Sequence, residues 1–210
     1  MCACEGPIVK GIVFTELLTM AEQTVGEEAL DEVLDQLALA SGGAYSRVGN
    51  YPCSELVAIV GALSARTGMS GEDLQRAFGC WMLDRFKVFY PHFFEGKASS
   101  LEMLAAIENE VHVEVRKLYP DAELPRFETA WDGPRRLRMR YVSERPLVAF
   151  CEGLIRACAD AFGDKVSVEV SRDSDREATF DITMIEIAGQ WTDVSHGAED
   201  TPREPGAGIA

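Results

Sequence analysis

Leu137-Arg138-Met139-Arg140-Tyr141-Val142-Ser143-Glu144-Arg145 is the stretch that decides the fold class. Leu137, Met139, Tyr141 and Ser143 alternate with Arg138, Arg140 and Val142, the period of two that a β-strand spreads over its two faces. The chain before Pro120 has a different rhythm. Apolar residues recur at helical spacing from Gly11 to Gln23 (Val13, Leu17, Met20) and from Glu27 to Ala40 (Leu30, Val33, Leu34, Leu37), with Gly26 and Gly42-Gly43 at the ends. Asn50-Tyr51-Pro52 breaks the pattern, and Ser54 reads as the cap of a third helix running through Leu56, Val57, Val60 and Leu63 to Gly68. Ser70 with Asp73 resembles a capping box and opens a fourth helix, carrying Leu74, Phe78, Trp81, Met82 and Phe86 and ended by Pro91. Ser99 with Glu102 opens a fifth in the same way.

Beyond the deciding strand, Pro146 to Phe162 reads as a further helix. Val166, Val168 and Val170 then face Phe180, Ile182 and Met184 across a polar turn at Arg172 to Glu177, the pattern of a hairpin. Helices first, then helix mixed with antiparallel strands, give an α+β class. From Gly189 to Ala210 the sequence holds Gly, Pro and acidic residues with little to bury, and disorder is expected there.

The chain has 210 residues, 47% of them hydrophobic and 26% charged, an ordinary composition for one domain with one sizeable core. With 35 acidic against 20 basic side chains the formal charge is −15, which repels nucleic acid and anionic lipid. No apolar run reaches the roughly 18 residues of a membrane span, and Met1 to Lys10 lacks the basic and apolar segments of a leader. A cytoplasmic protein with no membrane partner is therefore expected. Six cysteines without a Cys-x-x-Cys pair are too dilute for a disulfide scaffold and suit a reducing compartment. P-loop, G-x-S-x-G and H-E-x-x-H motifs are absent, so the residues make no case for an enzyme.

Two constellations carry chemistry. His112 lies in the fifth helix and, on a 100-degree wheel, lines up with Leu101, Ala105 and Tyr119 at the edge of the stripe made by Leu104, Ile107, Val111 and Leu118. A half-buried imidazole there is either a satisfied core histidine or a metal ligand. Strand alternation also sets Tyr141, Ser143 and Arg145 on one face in steps of about 7 Å. A guanidinium fork beside two hydroxyls suits a pair of carboxylates, the alternative being a solvated strand face.

Together these residues carry a resemblance. Lys10-Gly11-Ile12-Val13-Phe14, His112-Val113-Glu114-Val115-Arg116-Lys117-Leu118-Tyr119-Pro120-Asp121-Ala122 with Pro125, Tyr141-x-Ser143-x-Arg145 and Gly153-Leu154-Ile155 resemble the heme nitric oxide/oxygen binding (H-NOX) domain family, in its stand-alone bacterial form related to the heme domain of soluble guanylate cyclase. The resemblance covers residues 10–187, leaving 1–9 as an N-terminal extension and 188–210 as the tail. It implies an N-terminal helical lobe packed on a C-terminal lobe with an antiparallel sheet and helices, with heme b buried between them. It further implies His112 as the axial ligand of the iron, Tyr141, Ser143 and Arg145 as the clamp on the propionates, and Pro125 as a group pressing the macrocycle out of plane.

On the opposite face of the heme, some relatives hold a tyrosine five residues after the propionate arginine; here Phe150 stands in that place, with Leu17 and Met82 at the other donor positions. None donates a strong hydrogen bond. Bound O₂ depends on such a donor more than NO or CO does, so the resemblance implies an NO sensor that also takes CO and excludes O₂. Leu17, Phe86, Phe150 and Leu154 are expected to be buried whether they line this pocket or simply pack a core. No output region accompanies the sensor, which implies a separate partner such as a histidine kinase or a cyclic-di-GMP enzyme, a diguanylate cyclase or phosphodiesterase. Two alternatives stay open: a thiol redox sensor using Cys53, Cys80, Cys151 and Cys158, and a heme-free interaction module.

Overall fold

A computed structural model describes residues 6–186. The expected tail and Cys2 and Cys4 lie outside the described residues. A short strand β1 (Ile8–Lys10) leads into α1 (Gly11–Val25) and α2 (Glu27–Asp35), and β2 (Asn50–Pro52) returns antiparallel to β1 before α3 (Cys53–Thr67) and α4 (Gly71–Phe89). A 3₁₀ turn at Pro91–Phe93 connects to α5 (Ser100–Ala106), a π-helical turn (Ile107–Val111) and α6 (His112–Leu118). Then come β3 (Arg126–Trp131), β4 (Arg136–Val142), α7 (Val148–Phe162), β5 (Lys165–Arg172) and β6 (Glu177–Glu186). The four long strands form one antiparallel sheet in the order β3-β4-β6-β5. The α+β reading holds.

Two apolar clusters organise the molecule. Phe14, Leu17, Leu56, Ile59, Phe78 and Met82 centre the helical one, and Leu101, Leu137, Met139, Ile155, Phe180 and Ile182 centre the one between α5, α7 and the sheet. Leu154 of α7 packs against both. In β4 the inward side chains are Leu137, Met139 and Tyr141, as the alternation requires, and Met139 pairs with Phe180 in register. The joint between the clusters is the crossing of α4 and α7. A Cβ on Gly79 would collide with the backbone oxygen of Phe150, and one on Gly153 with that of Arg76, so the two backbones meet where neither helix carries a side chain. Beside the crossing, buried Glu152 of α7 binds Arg76 of α4 (3.2 Å) and Arg156 (3.0 Å).

The expected caps hold at two helices. Ser70 Oγ accepts from the Asp73 N–H (3.1 Å), and Ser99 Oγ accepts from the Glu102 N–H while Glu102 reaches back past the cap to the Ala98 N–H (2.9 Å). At α3 the expectation fails: Ser54 lies inside the helix, which follows Pro52 directly without a side-chain cap. The second helix is shorter than Glu27 to Ala40 and stops at Asp35. Beyond it Ser41 and Tyr45 turn back to the buried Glu55 carboxylate (2.6 and 2.7 Å).

Candidate functional site

The fifth helix is not continuous. The backbone N–H of His112 bonds to the carbonyl of Ile107, five residues back, so one residue is inserted relative to the α pattern. The insertion changes the phase of the wheel, and His112 opens its own helix α6 instead of following Leu101 and Ala105. It is 7% exposed. His112 Nδ1 lies 3.0 Å from Glu108 Oε2. A carboxylate only accepts, so Nδ1 carries the proton and Nε2 keeps its lone pair. Burial pushes the imidazole below its ordinary titration range against the pull of Glu108 and so favours the neutral form, the form that binds metal. Burial disfavours ionised Glu108 as well, but bonds from Arg116, His112 and the Phe127 N–H outweigh it and hold the carboxyl below its usual value.

From His112 the site runs to the sheet through one aromatic ring. Phe127 of β3 lies 5.5 Å from the imidazole, centroid to centroid, and 5.6 Å from Tyr141, its partner in register on β4. Burial pushes the Tyr141 hydroxyl well above its ordinary value, which keeps it protonated and a donor. The strand itself stops at Val142, so Ser143 and Arg145 are not on its face as the alternation implied. Both neighbouring strands end their pairing at Val142, and a bend follows at Glu144 to Pro146. The bend carries the Arg145 guanidinium inward, to 6% exposure. There Nε donates to the Ile8 carbonyl (2.8 Å) and Nη2 to Glu123 (3.0 Å), while Ser143 Oγ accepts the Arg145 N–H (3.1 Å).

Pro125 closes a loop that starts at Tyr119, and two carboxylates fasten this loop to the paired strands β1 and β2. Glu123 accepts the Ile8 N–H (3.1 Å); Asp121 accepts from Lys10 Nζ (2.8 Å) and Asn50 Nδ2 (2.6 Å). These bonds lower the Asp121 carboxyl to about 2. A carboxyl depressed in the folded state stabilises above its unfolded pKa of about 3.9 and loses that contribution as pH falls toward the folded value. Titration of Asp121 followed by NMR should therefore give a midpoint near 2, rising toward the ordinary value in a Lys10→Met variant while the Asn50 bond still holds it lower. An ordinary midpoint in the parent protein would show that the tie does not form in solution.

Leu17, Met82, Phe86, Phe150 and Leu154 pack in the same cluster: Leu17 and Met82 are buried, the other three half-buried. Phe150 rests on Phe78, 5.1 Å between ring centroids. The nearby indole N–H of Trp81 is already given to the buried Glu16 (3.2 Å). A neutral buried imidazole with a fixed tautomer, a buried guanidinium, and half-buried apolar side chains on α4 and α7 are the kinds of group that suit a flat apolar macrocycle with one axial position and acidic substituents. Glu108, Asp121 and Glu123 were not singled out from the sequence. Glu108 had a usable signal, its place four residues before His112; the other two bond to partners far along the chain, Ile8, Lys10, Asn50 and Arg145, and had none.

The four described cysteines sit where the thiol form is favoured. Cys53, Cys151 and Cys158 are buried, and burial pushes their thiols up, that of Cys158 to about 12. Cys80 is exposed, yet partial burial and the neighbouring Asp160 and Asp84 carboxylates raise its thiol too. Among the described residues no group of three or more His, Cys, Asp or Glu could hold a metal ion, and no helix is long and apolar enough to cross a membrane.

A family model described as Haem-NO-binding matches residues 10–170. The H-NOX protein from K. algicida, solved in the Fe(II) unliganded state, is 35% identical, with 86% of this chain and 98% of that one covered and a TM-score of 0.81. An H-NOX protein from S. oneidensis in the Fe(II)NO state is 25% identical, with 85% and 100% covered and a TM-score of 0.78. The IWP-051-bound H-NOX from Shewanella woodyi, in the Fe(II)CO state, is 33% identical, with 88% and 98% covered and a TM-score of 0.74. A comparison with curated proteins found no match.

Proposed function

Because this chain belongs to the H-NOX family of heme-based gas sensors, we propose that it is a nitric oxide sensor that binds heme b through His112, excludes O₂ and reports to a separate effector protein. The observation that carries this reading is the buried His112, with Nδ1 committed to Glu108 and Nε2 therefore the ring nitrogen that keeps its lone pair. The heme, when bound, supplies the iron at which a diatomic gas is held.

The chain's own residues define the rest. His112 presents Nε2 to the metal, and the Glu108 bond fixes which nitrogen does so. Arg145 offers the N–H groups it does not spend on Ile8 and Glu123, and Tyr141 and Ser143 add hydroxyls for the propionates. Pro125 stands on a loop held at both Asp121 and Glu123, so it yields little to a group that presses on it. Leu17, Met82 and Phe150 withhold hydrogen bonds from the gas. NO and CO tolerate that surrounding, whereas O₂, which takes up negative charge when it binds, does not.

Signal transfer follows from the joint. Met82 and Phe86 sit on α4, Phe150 and Leu154 on α7, and the two helices cross in backbone contact at Gly79 and Gly153, so a change in how these side chains pack turns one cluster against the other. That turn becomes a signal when a partner binds the two arrangements with different affinity. A histidine kinase or a diguanylate cyclase or phosphodiesterase fits this role.

Substitution at the donor-free wall tests the gas preference. Phe150→Tyr sets a hydroxyl where the parent has none and should slow O₂ dissociation by about 10-fold or more, the effect of roughly one hydrogen bond to a charged acceptor, with NO binding little changed. Stable O₂ binding by the unaltered protein would contradict the proposed selectivity.

A further inference from the structure

Glu108 has a position that the ligand assignment does not require. It lies in the π turn, half-buried, and all its hydrogen bonds serve the surroundings of His112. Oε2 is shared between His112 Nδ1 (3.0 Å) and the backbone N–H of Phe127 (3.2 Å), while Oε1 accepts from Arg116 Nη2 (2.8 Å). The inserted residue of the π turn sits just before His112, and Glu108 and Arg116 lie one turn to either side of it on the chain. The Phe127 N–H belongs to edge strand β3, so the same carboxylate joins the histidine to the sheet.

We infer that Glu108 is a positioning residue for the axial histidine, which fixes the Nδ1–H tautomer, sets the plane of the imidazole against β3 and tunes the donor strength of Nε2, with Arg116 as the opposing control. The inference rests on the proposed heme ligation by His112. The physics is that of a carboxylate behind a metal-bound imidazole: a negative acceptor draws the Nδ1 proton, shifts charge onto the ring and strengthens Nε2 as a ligand. Arg116 competes for the same carboxylate and reduces that pull. Its side chain is 44% exposed, so its influence is screened and smaller than that of the direct bond.

The two partners therefore act with opposite signs, which a role in folding alone does not produce. Glu108→Gln keeps the side-chain shape and two acceptor bonds but removes the charge; Arg116→Gln leaves the charge and removes its competitor. In the reduced, heme-loaded protein, the iron–histidine stretching band in resonance Raman should move to lower frequency in Glu108→Gln and to higher frequency in Arg116→Gln. Heme dissociation into excess apomyoglobin should be faster by about 10-fold in Glu108→Gln, the low end of the loss for such second-layer partners. A band present in the parent but unmoved in both variants, or moved the same way in both, overturns the inference while leaving His112 ligation intact. Absence of the band from the parent overturns the ligation and this inference with it.

Discussion

His112→Gly should abolish the iron–histidine band of the reduced protein, and free imidazole added at millimolar concentration should restore a five-coordinate spectrum. Glycine removes the one buried imidazole of the described chain and opens a space of the same shape, floored by the Phe127 ring and bordered by Glu108. Glu108 keeps the Phe127 N–H and Arg116 in the variant, so no carboxylate is stranded and the fold survives. Exogenous imidazole finds the same acceptor for its own N–H. Loss of the ligand itself should weaken heme retention by more than the roughly 10- to 100-fold typical of losing a group behind a ligand. A variant whose heme spectrum matches the parent would remove His112 from the site and return it to the role of a core histidine.

The second large effect is on stability. Gly153→Val sets a branched side chain against the Arg76 backbone at the α4–α7 crossing, where the obstacle is main chain and cannot rotate aside. The helices have to part, and the Glu152 bond to Arg76, which spans the crossing, loosens with them. A loss of ~3 kcal/mol is expected, which for a chain of this size lowers Tm by about 10 °C. Gly61→Ala is the matched control. Gly61 lies inside α3 with no atom near the position of an added Cβ, and alanine there should stabilise by about 0.5–1 kcal/mol. Thermal unfolding by circular dichroism separates the two; equal melting of Gly153→Val and the parent would mean that the crossing is not tight in solution.

Much of this architecture is written in local pattern. The Ser70 and Ser99 caps, the alternation of Leu137, Met139 and Tyr141 and the valines of β5 mark their elements because each depends on neighbours a few residues away. What stayed hidden depends on distant chain. Strand β3 shows no alternation because it is an edge strand exposed along most of its length, and its place is set by pairing with β4. The π turn before His112 has no signature of its own, so a regular wheel put the histidine on the wrong phase. Arg145 was legible as a carboxylate binder, but its inward turn after Val142 follows from where β3 and β6 end. The ties from Asp121 and Glu123 to strands β1 and β2 arise only when the middle of the chain folds back on its N-terminal part.

The central claim is a heme held by His112 in a surrounding that admits NO and CO and turns O₂ away. Its most direct test is the absorption spectrum of the purified, heme-loaded, reduced protein, recorded anaerobically alone, then with NO, with CO and in air. The reduced protein should give a five-coordinate ferrous spectrum that shifts with NO and with CO and shows no stable O₂ form in air. A stable O₂ form would contradict the donor-free wall of Leu17, Met82 and Phe150, and a protein that retains no heme would contradict the claim as a whole.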